Sequence, residues 1–160
     1  MSYGLSPVVF ESISAVTATP TVQLGTIRFH DGEYYEYVHA AKTIPIGYGA
    51  VYSGTSGHTV VTTGAVSGEH CAGVCKHESI TSGSYGWLMK KGVVNMVNTK
   101  AGSAPTQSLP AFLGTDGGFY TETLAITSAV DNGVPIGKVL SAGASGGTGA
   151  STSLIFVSVF

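Results

Sequence analysis

Apolar positions along this chain recur every second residue in short runs, and no stretch sustains the 3.6-residue period of an amphipathic helix. Gly, Ser, Thr and Pro interrupt those runs about every eight to twelve residues, the spacing of strands in a sandwich or barrel. The pattern predicts an all-β protein. Its clearest unit is "VQLGTIRFHDGEYYEYVHA", where two β-rich runs flank Asp31-Gly32, a dipeptide that supplies the positive φ angles of a two-residue hairpin turn. Residues 22–30 and 33–40 are expected to pair.

Further strands are expected at 48–54, 58–64, 71–80 and 85–98, joined by short Gly- and Ser-rich turns into a meander. A second hairpin over 111–124 turns at Asp116-Gly117-Gly118, and strands follow at 134–143 and 151–160. The loop "AGASGGTGAS" between the last two has no side chains able to pack and is expected to be mobile. Within 85–98, Tyr85, Trp87 and Met89 alternate with Gly86, Leu88 and Lys90, so the single Trp is expected to pack on the sheet it faces. Ser82-Gly83-Ser84 makes the tight turn before that strand, and Gly92 marks a bulge.

Residues 1–21 hold apolar groups at Pro7, Val8, Val9, Phe10, Ile13 and Val16 but no turn to fold them into a hairpin. They read as an extended N-terminal arm, leaving 22–160 as a single all-β domain. The terminal run "LIFVSVF" up to Phe160 is apolar almost throughout, so it pairs inside a sheet or under a neighbouring subunit instead of standing as a bare edge. The expected body is a compact antiparallel β-barrel or sandwich, β-tulip-like or jelly-roll-like.

Composition adds a constraint on the surface. The 160 residues suit one domain with a real core, yet charged residues make up only 10% of the chain, against a typical share of roughly 25%. A surface that repels so little is expected to be covered by copies of the chain or by a partner. The net charge of −2, with no basic cluster larger than Lys90-Lys91, offers no footprint for a nucleic-acid backbone. The N-terminus lacks a basic leader, and no run approaches the length of a membrane span, so the expectation is a soluble protein without a secretion signal. Cys71 and Cys75 on an extended strand stand about 13 Å apart, beyond disulfide reach, and free thiols suit assembly in a cytoplasm.

Motifs with chemistry in them are few. His70, Asp116 and Ser145 fall in the chain order of a chymotrypsin-like triad, but only one strand follows Ser145, too little to build a specificity pocket. The Gly-x-Ser-x-Gly match at Gly143 to Gly147 lacks the helix that a nucleophile elbow needs. No catalytic residue is assigned and no enzyme is expected. His70, Cys71, Cys75 and His77 resemble a zinc ligand set, but an extended strand puts Cys71, Cys75 and His77 on one face and His70 on the other, and the short Cys-x2-Cys loop is missing. They read as core thiols beside surface histidines, with no metal or cofactor expected. His30, His39 and His58 read as ordinary turn or surface residues. Tyr34, Tyr35 and Tyr37 share one strand, with Tyr35 and Tyr37 on one face, as a sugar-stacking platform or as the wall of a core or subunit interface. The interface is the preferred reading, giving Tyr35, Tyr37, Phe156 and Phe160 as subunit-interface candidates.

In order and spacing, "QLGTIRFHDGEYYEYVHAA", "GEHCAGVCKHESITSGSYGWLMKKGVV", "GVPIGKVL" and the β-rich terminus resemble the decoration or cement proteins of tailed-bacteriophage heads. The most distinctive parts are Leu24 to Tyr37, Ala72 to Val74, Gly83 to Trp87 and Ile136 to Val139. The resemblance implies a non-enzymatic virion protein on the outer surface of an icosahedral head, commonly a homotrimer, with dimers also known. Its partners are then itself and the major capsid protein, whose neighbouring subunits it clamps. The arm, through Pro7, Val8, Val9, Phe10, Ile13 and Val16, is expected to lie across the shell. The alternative is a glycan- or receptor-binding domain of a phage fibre or adhesin, using Tyr34, Tyr35 and Tyr37.

Overall fold

The structure is a computed structural model in which residues 11–53, 57–61, 70–98, 104–114, 116–121, 134–141 and 151–159 are described. Expectations for Pro7, Val8, Val9, Phe10, Phe160 and the loop around Ser145 lie outside those residues.

The described residues form ten strands: β1 (Ile27–His30), β2 (Glu33–Ala40), β3 (Gly49–Tyr52), β4 (Thr59–Val61), β5 (Cys71–Val74), β6 (Tyr85–Asn98), β7 (Pro110–Leu113), β8 (Phe119–Thr121), β9 (Val134–Val139) and β10 (Ser151–Ser158). The fold is all-β. Asp31 and Gly32 adopt φ of 48° and 82°, and the ladder they close runs from His30↔Glu33 to Ile27↔Glu36. Two positive φ values in succession are what the right-handed twist of a tight hairpin requires.

The fourteen-residue β6 is the spine of the molecule. Its first half pairs with β2, from His39↔Tyr85 to Tyr34↔Lys91, and with β5 at Val74↔Met89. Strands β3 and β4 complete a closed five-strand barrel in the order β2-β4-β3-β5-β6. The second half of β6 pairs with β10 from Lys91 to Asn98. From β10 the sheet continues through β9, β7 and β8, and β8 returns to β6 at Asn98↔Phe119. Thus β6 belongs to two five-membered circuits. A ring with an odd number of strands cannot alternate direction all the way round, and each circuit holds one parallel pair, β2–β4 and β6–β8. The expected antiparallel meander is corrected at these two seams.

The handover within β6 is a bulge. Lys90 is passed over in the ladder with β2, and Gly92 follows with φ of 151°, as its position in the sequence predicted. A Cβ on Gly92 would stand 2.7 Å from the Glu33 carboxylate, so the glycine makes room for that acid.

Over most of its length both faces of β2 are buried, one inside the barrel and one outside its wall. Val38 and Ala40 join Ala50, Val60, Ala72, Cys75 and Leu88 in one core, inside the barrel. Tyr35 and Tyr37 point outward into a second, larger core with Trp87, Met89, Val94, Met96 and the inward residues of the other circuit, among them Leu113, Phe119, Ile136 and Ile155. Tyr35 and Tyr37 are 1% and 0% exposed. Their assignment as subunit-interface residues is therefore corrected: they face a core of their own chain, shared with Trp87 and Met89 of β6.

Candidate functional site

The N-terminal segment explains why Tyr37 is covered. Residue Thr17 exchanges main-chain hydrogen bonds with Tyr85, at 3.0 and 2.8 Å. The Tyr37 hydroxyl lies 3.2 Å from both Thr17 Oγ1 and Thr21 Oγ1 and accepts from the Thr21 N–H at 3.3 Å. Ile13 packs on the larger core and Val16 on the barrel core. Ile13 and Val16, the expected capsid contacts of this part of the arm, are half-buried here, each packed in part on the body. The Arg28 guanidinium donates to the Glu11 carbonyl and lies 6.0 Å from the centre of the Trp87 ring. This second half of the arm is a strap over the aromatic face of the barrel.

Two acids of β2 organise the polar interior, one on each face. On the barrel side, the Glu36 carboxylate accepts from the Tyr52 hydroxyl at 2.6 Å, from His58 Nδ1 at 2.6 Å and from Lys90 Nζ at 3.1 Å. Lys90 also donates to the Tyr52 oxygen at 3.0 Å. Burial pushes the Glu36 carboxyl up, but these donors outweigh it and hold the acid below its ordinary range. For Lys90, burial acts downward, and Tyr52 and Glu36 reverse it to a net rise. On the other face, Glu33 takes both carboxylate bonds from Lys76 at 2.6 Å, accepts from the Tyr35 hydroxyl and caps the bulge through the Val93 N–H at 3.2 Å. Desolvation there is likewise overcome, and Glu33 is lowered. His77 Nε2 sits 2.9 Å from the Tyr35 hydroxyl, whose proton goes to Glu33, so the imidazole donates. Burial and then Lys76 lower the His77 pKa.

The chemistry these groups support is bracing. Lys90 stays protonated, and its partners saturate one another. Cys71 and Cys75 are free and buried, and burial pushes each thiol up to about 12, so neither is a thiolate at neutral pH. The two thiols do not share a face as an ideal strand would have them. The ladder between β3 and β5 passes over Ala72, with Gly73 at φ 147°, and this bulge inverts the alternation so that Cys71 joins the larger core and Cys75 the barrel core. His70 is exposed beside Cys71, and Asp116 serves the β7–β8 turn by accepting from the Gly118 N–H at 3.1 Å. Among the described residues, no three His, Cys, Asp or Glu side chains gather in a metal-binding group.

Part of the outside is apolar. Ile27 is 56% exposed and Phe29 62%, both on β1, and Tyr34, directly across from Phe29, is 39% exposed. The Phe29 and Tyr34 rings lie 5.1 Å apart. A separate candidate, Phe156 on β10, is 36% exposed. Sequence reading missed Ile27 and Phe29 although they alternate in its best-defined hairpin. Period-2 alternation shows that one face is apolar, and here that face lies at the open end of the sheet order, beyond the reach of either core.

No protein-family model matches the chain, and no curated protein matches it. Among solved structures, it is similar to the head fiber gp8.5 N base of bacteriophage phi29, with 15% sequence identity and a TM-score of 0.48 over 79% of this chain and 96% of that one.

Proposed function

We propose that this chain is a structural protein of a phage head, a decoration protein that binds the outer surface of the shell through its β1–β2 hairpin and braces neighbouring major capsid subunits. The observation that supports this reading is the cluster of Ile27, Phe29 and Tyr34, exposed on a body that turns the two acids of the same hairpin's second strand, Glu33 and Glu36, inward. Glu33, Glu36, Lys76 and Lys90 are spent on internal pairs, so the outside carries even less charge than the composition suggests. The sequence resemblance to head decoration proteins points the same way, and copies associate as trimers or dimers on the shell. Burying each of the three side chains against a partner contributes roughly 1–2 kcal/mol. Repetition over the many sites of a shell turns that modest term into a large resistance to bursting.

The test is add-back of purified protein to heads that lack it, followed by sedimentation and electron cryo-microscopy. Ile27→Ser with Phe29→Ser is expected to lower occupancy at least about tenfold at unchanged thermal stability, since both side chains are already in water. Wild-type occupancy by that double variant, or failure of the native chain to bind heads, overturns the reading.

A further inference from the structure

Strand β1 ends the sheet order, and among the described residues it pairs only with β2. The Tyr37 N–H donates to the Thr26 carbonyl at 3.0 Å, and hydrogen-bonded and non-bonded pairs alternate along an antiparallel ladder. Arg28 and His30 therefore turn their main-chain groups toward β2, while Ile27 and Phe29 turn theirs away. The two residues with the most exposed apolar side chains of the described chain are thus the two that present N–H and C=O groups along the outer edge. Native edges are blunted by lysine, proline or a bulge. Over Ile27–His30 this one has no lysine or proline; its bulge, where the Gly25 N–H and the Thr26 carbonyl both bond Tyr37, lies just before the strand, and Arg28, whose guanidinium donates to the Glu11 carbonyl, is the one full charge between the two apolar residues.

We propose, resting on the shell-binding reading only for which protein supplies the segment, that β1 is a strand-addition site for an extended segment of another polypeptide, apolar-acidic-apolar in sequence. Unpaired main-chain groups call for a partner in the extended conformation. Charge complementarity decides against a second copy. In the antiparallel register that uses both outward residues, Ile27 of one copy meets Phe29 of the other and Arg28 falls directly opposite Arg28. Like charges across an antiparallel pair are destabilising, whereas a foreign strand with Asp or Glu at that position gains a cross-strand ion pair.

The probe is the synthetic peptide Thr-Val-Asp-Val-Thr, blocked at both ends, added in millimolar excess to the full chain while amide exchange is followed by NMR. The amides of Ile27 and Phe29 are expected to slow by about tenfold, with those of Arg28 and His30 unchanged because β2 already holds them. A peptide with Lys in place of Asp protects less. Phe29→Pro, which edge strands tolerate, abolishes protection and head binding together, while Phe29→Thr keeps the N–H and retains part of both. Absence of protection at Ile27 and Phe29, or equal protection by the Lys peptide, overturns the proposal. Heads that bind Phe29→Pro as well as wild type overturn it too. Heads that bind no form of the chain, with the peptide effect intact, overturn the functional reading alone.

Discussion

At the scale of single residues, the barrel hangs on Glu36. It is 3% exposed and holds three donors from three other parts of the chain, Tyr52, His58 and Lys90. Glu36→Gln keeps the volume but leaves Lys90 as a buried cation without its counter-charge, and is expected to cost about 2–4 kcal/mol in denaturant unfolding. The linkage sign follows from the lowered carboxyl. The stabilisation is fully present above the ordinary value of 4.5 and is lost as pH falls through the lower folded value. Glu33 behaves the same way. The melting temperature is therefore expected to hold from neutral pH down to the ordinary carboxylate range and to fall steeply below it, with a shallower fall in Glu36→Gln. An equal acid fall in that variant counts against this assignment. In the sequence, "EYYEYVHA" correctly puts Tyr35 and Tyr37 on one face, but nothing in that run marks Glu36 on the other as buried. Only closure of the barrel makes that face an interior, and closure depends on strands distant in the chain.

At the scale of elements, local chemistry was legible and non-local pairing was not. The Asp31-Gly32 turn, the extent of β6 at 85–98, the Gly92 bulge and the turn at Gly83 with φ of 79° all follow from residues that tolerate those angles. The Gly73 bulge escaped notice because "CAGVC" is equally good as a regular strand, and the deviation is imposed by contact with β6. A Cβ on Gly73 would meet the Met89 carbonyl oxygen at 2.8 Å. The strap over 11–21 reads in the sequence only as part of an extended arm over 1–21, because its anchors, the Tyr37 hydroxyl and the Tyr85 main chain, come from other elements. Tyr37→Phe leaves the ring in the core and removes only the hydroxyl. It is expected to lower stability by about 1 kcal/mol and to speed amide exchange at Thr17 and Thr21 well beyond the global change. Exchange there that merely tracks global unfolding would mean that the main-chain bridge alone holds the strap.

At the scale of the whole molecule, the shared strand decides whether the two circuits fold as one. Along β6, Leu88 belongs to the barrel core while Met89, Val94 and Met96 belong to the larger one, so neither core can open without disturbing the same backbone. Cys75 and Cys71 sit one in each core and supply a reporter for each. In the single-thiol variants Cys71→Ala and Cys75→Ala, labelling of the remaining thiol is expected to proceed at one common rate set by global unfolding. The sharper form of the test perturbs the far circuit. A Cβ on Gly137 would fall 1.9 Å from the Phe156 carbonyl oxygen, so Gly137→Ala forces β9 away from β10 at a ladder outside the barrel. If β6 couples the circuits, that substitution accelerates labelling of Cys75 as much as that of Cys71. A Cys75 rate that stays at the wild-type value would instead make the barrel an independent unit, with β6 able to lose its second half and keep its first.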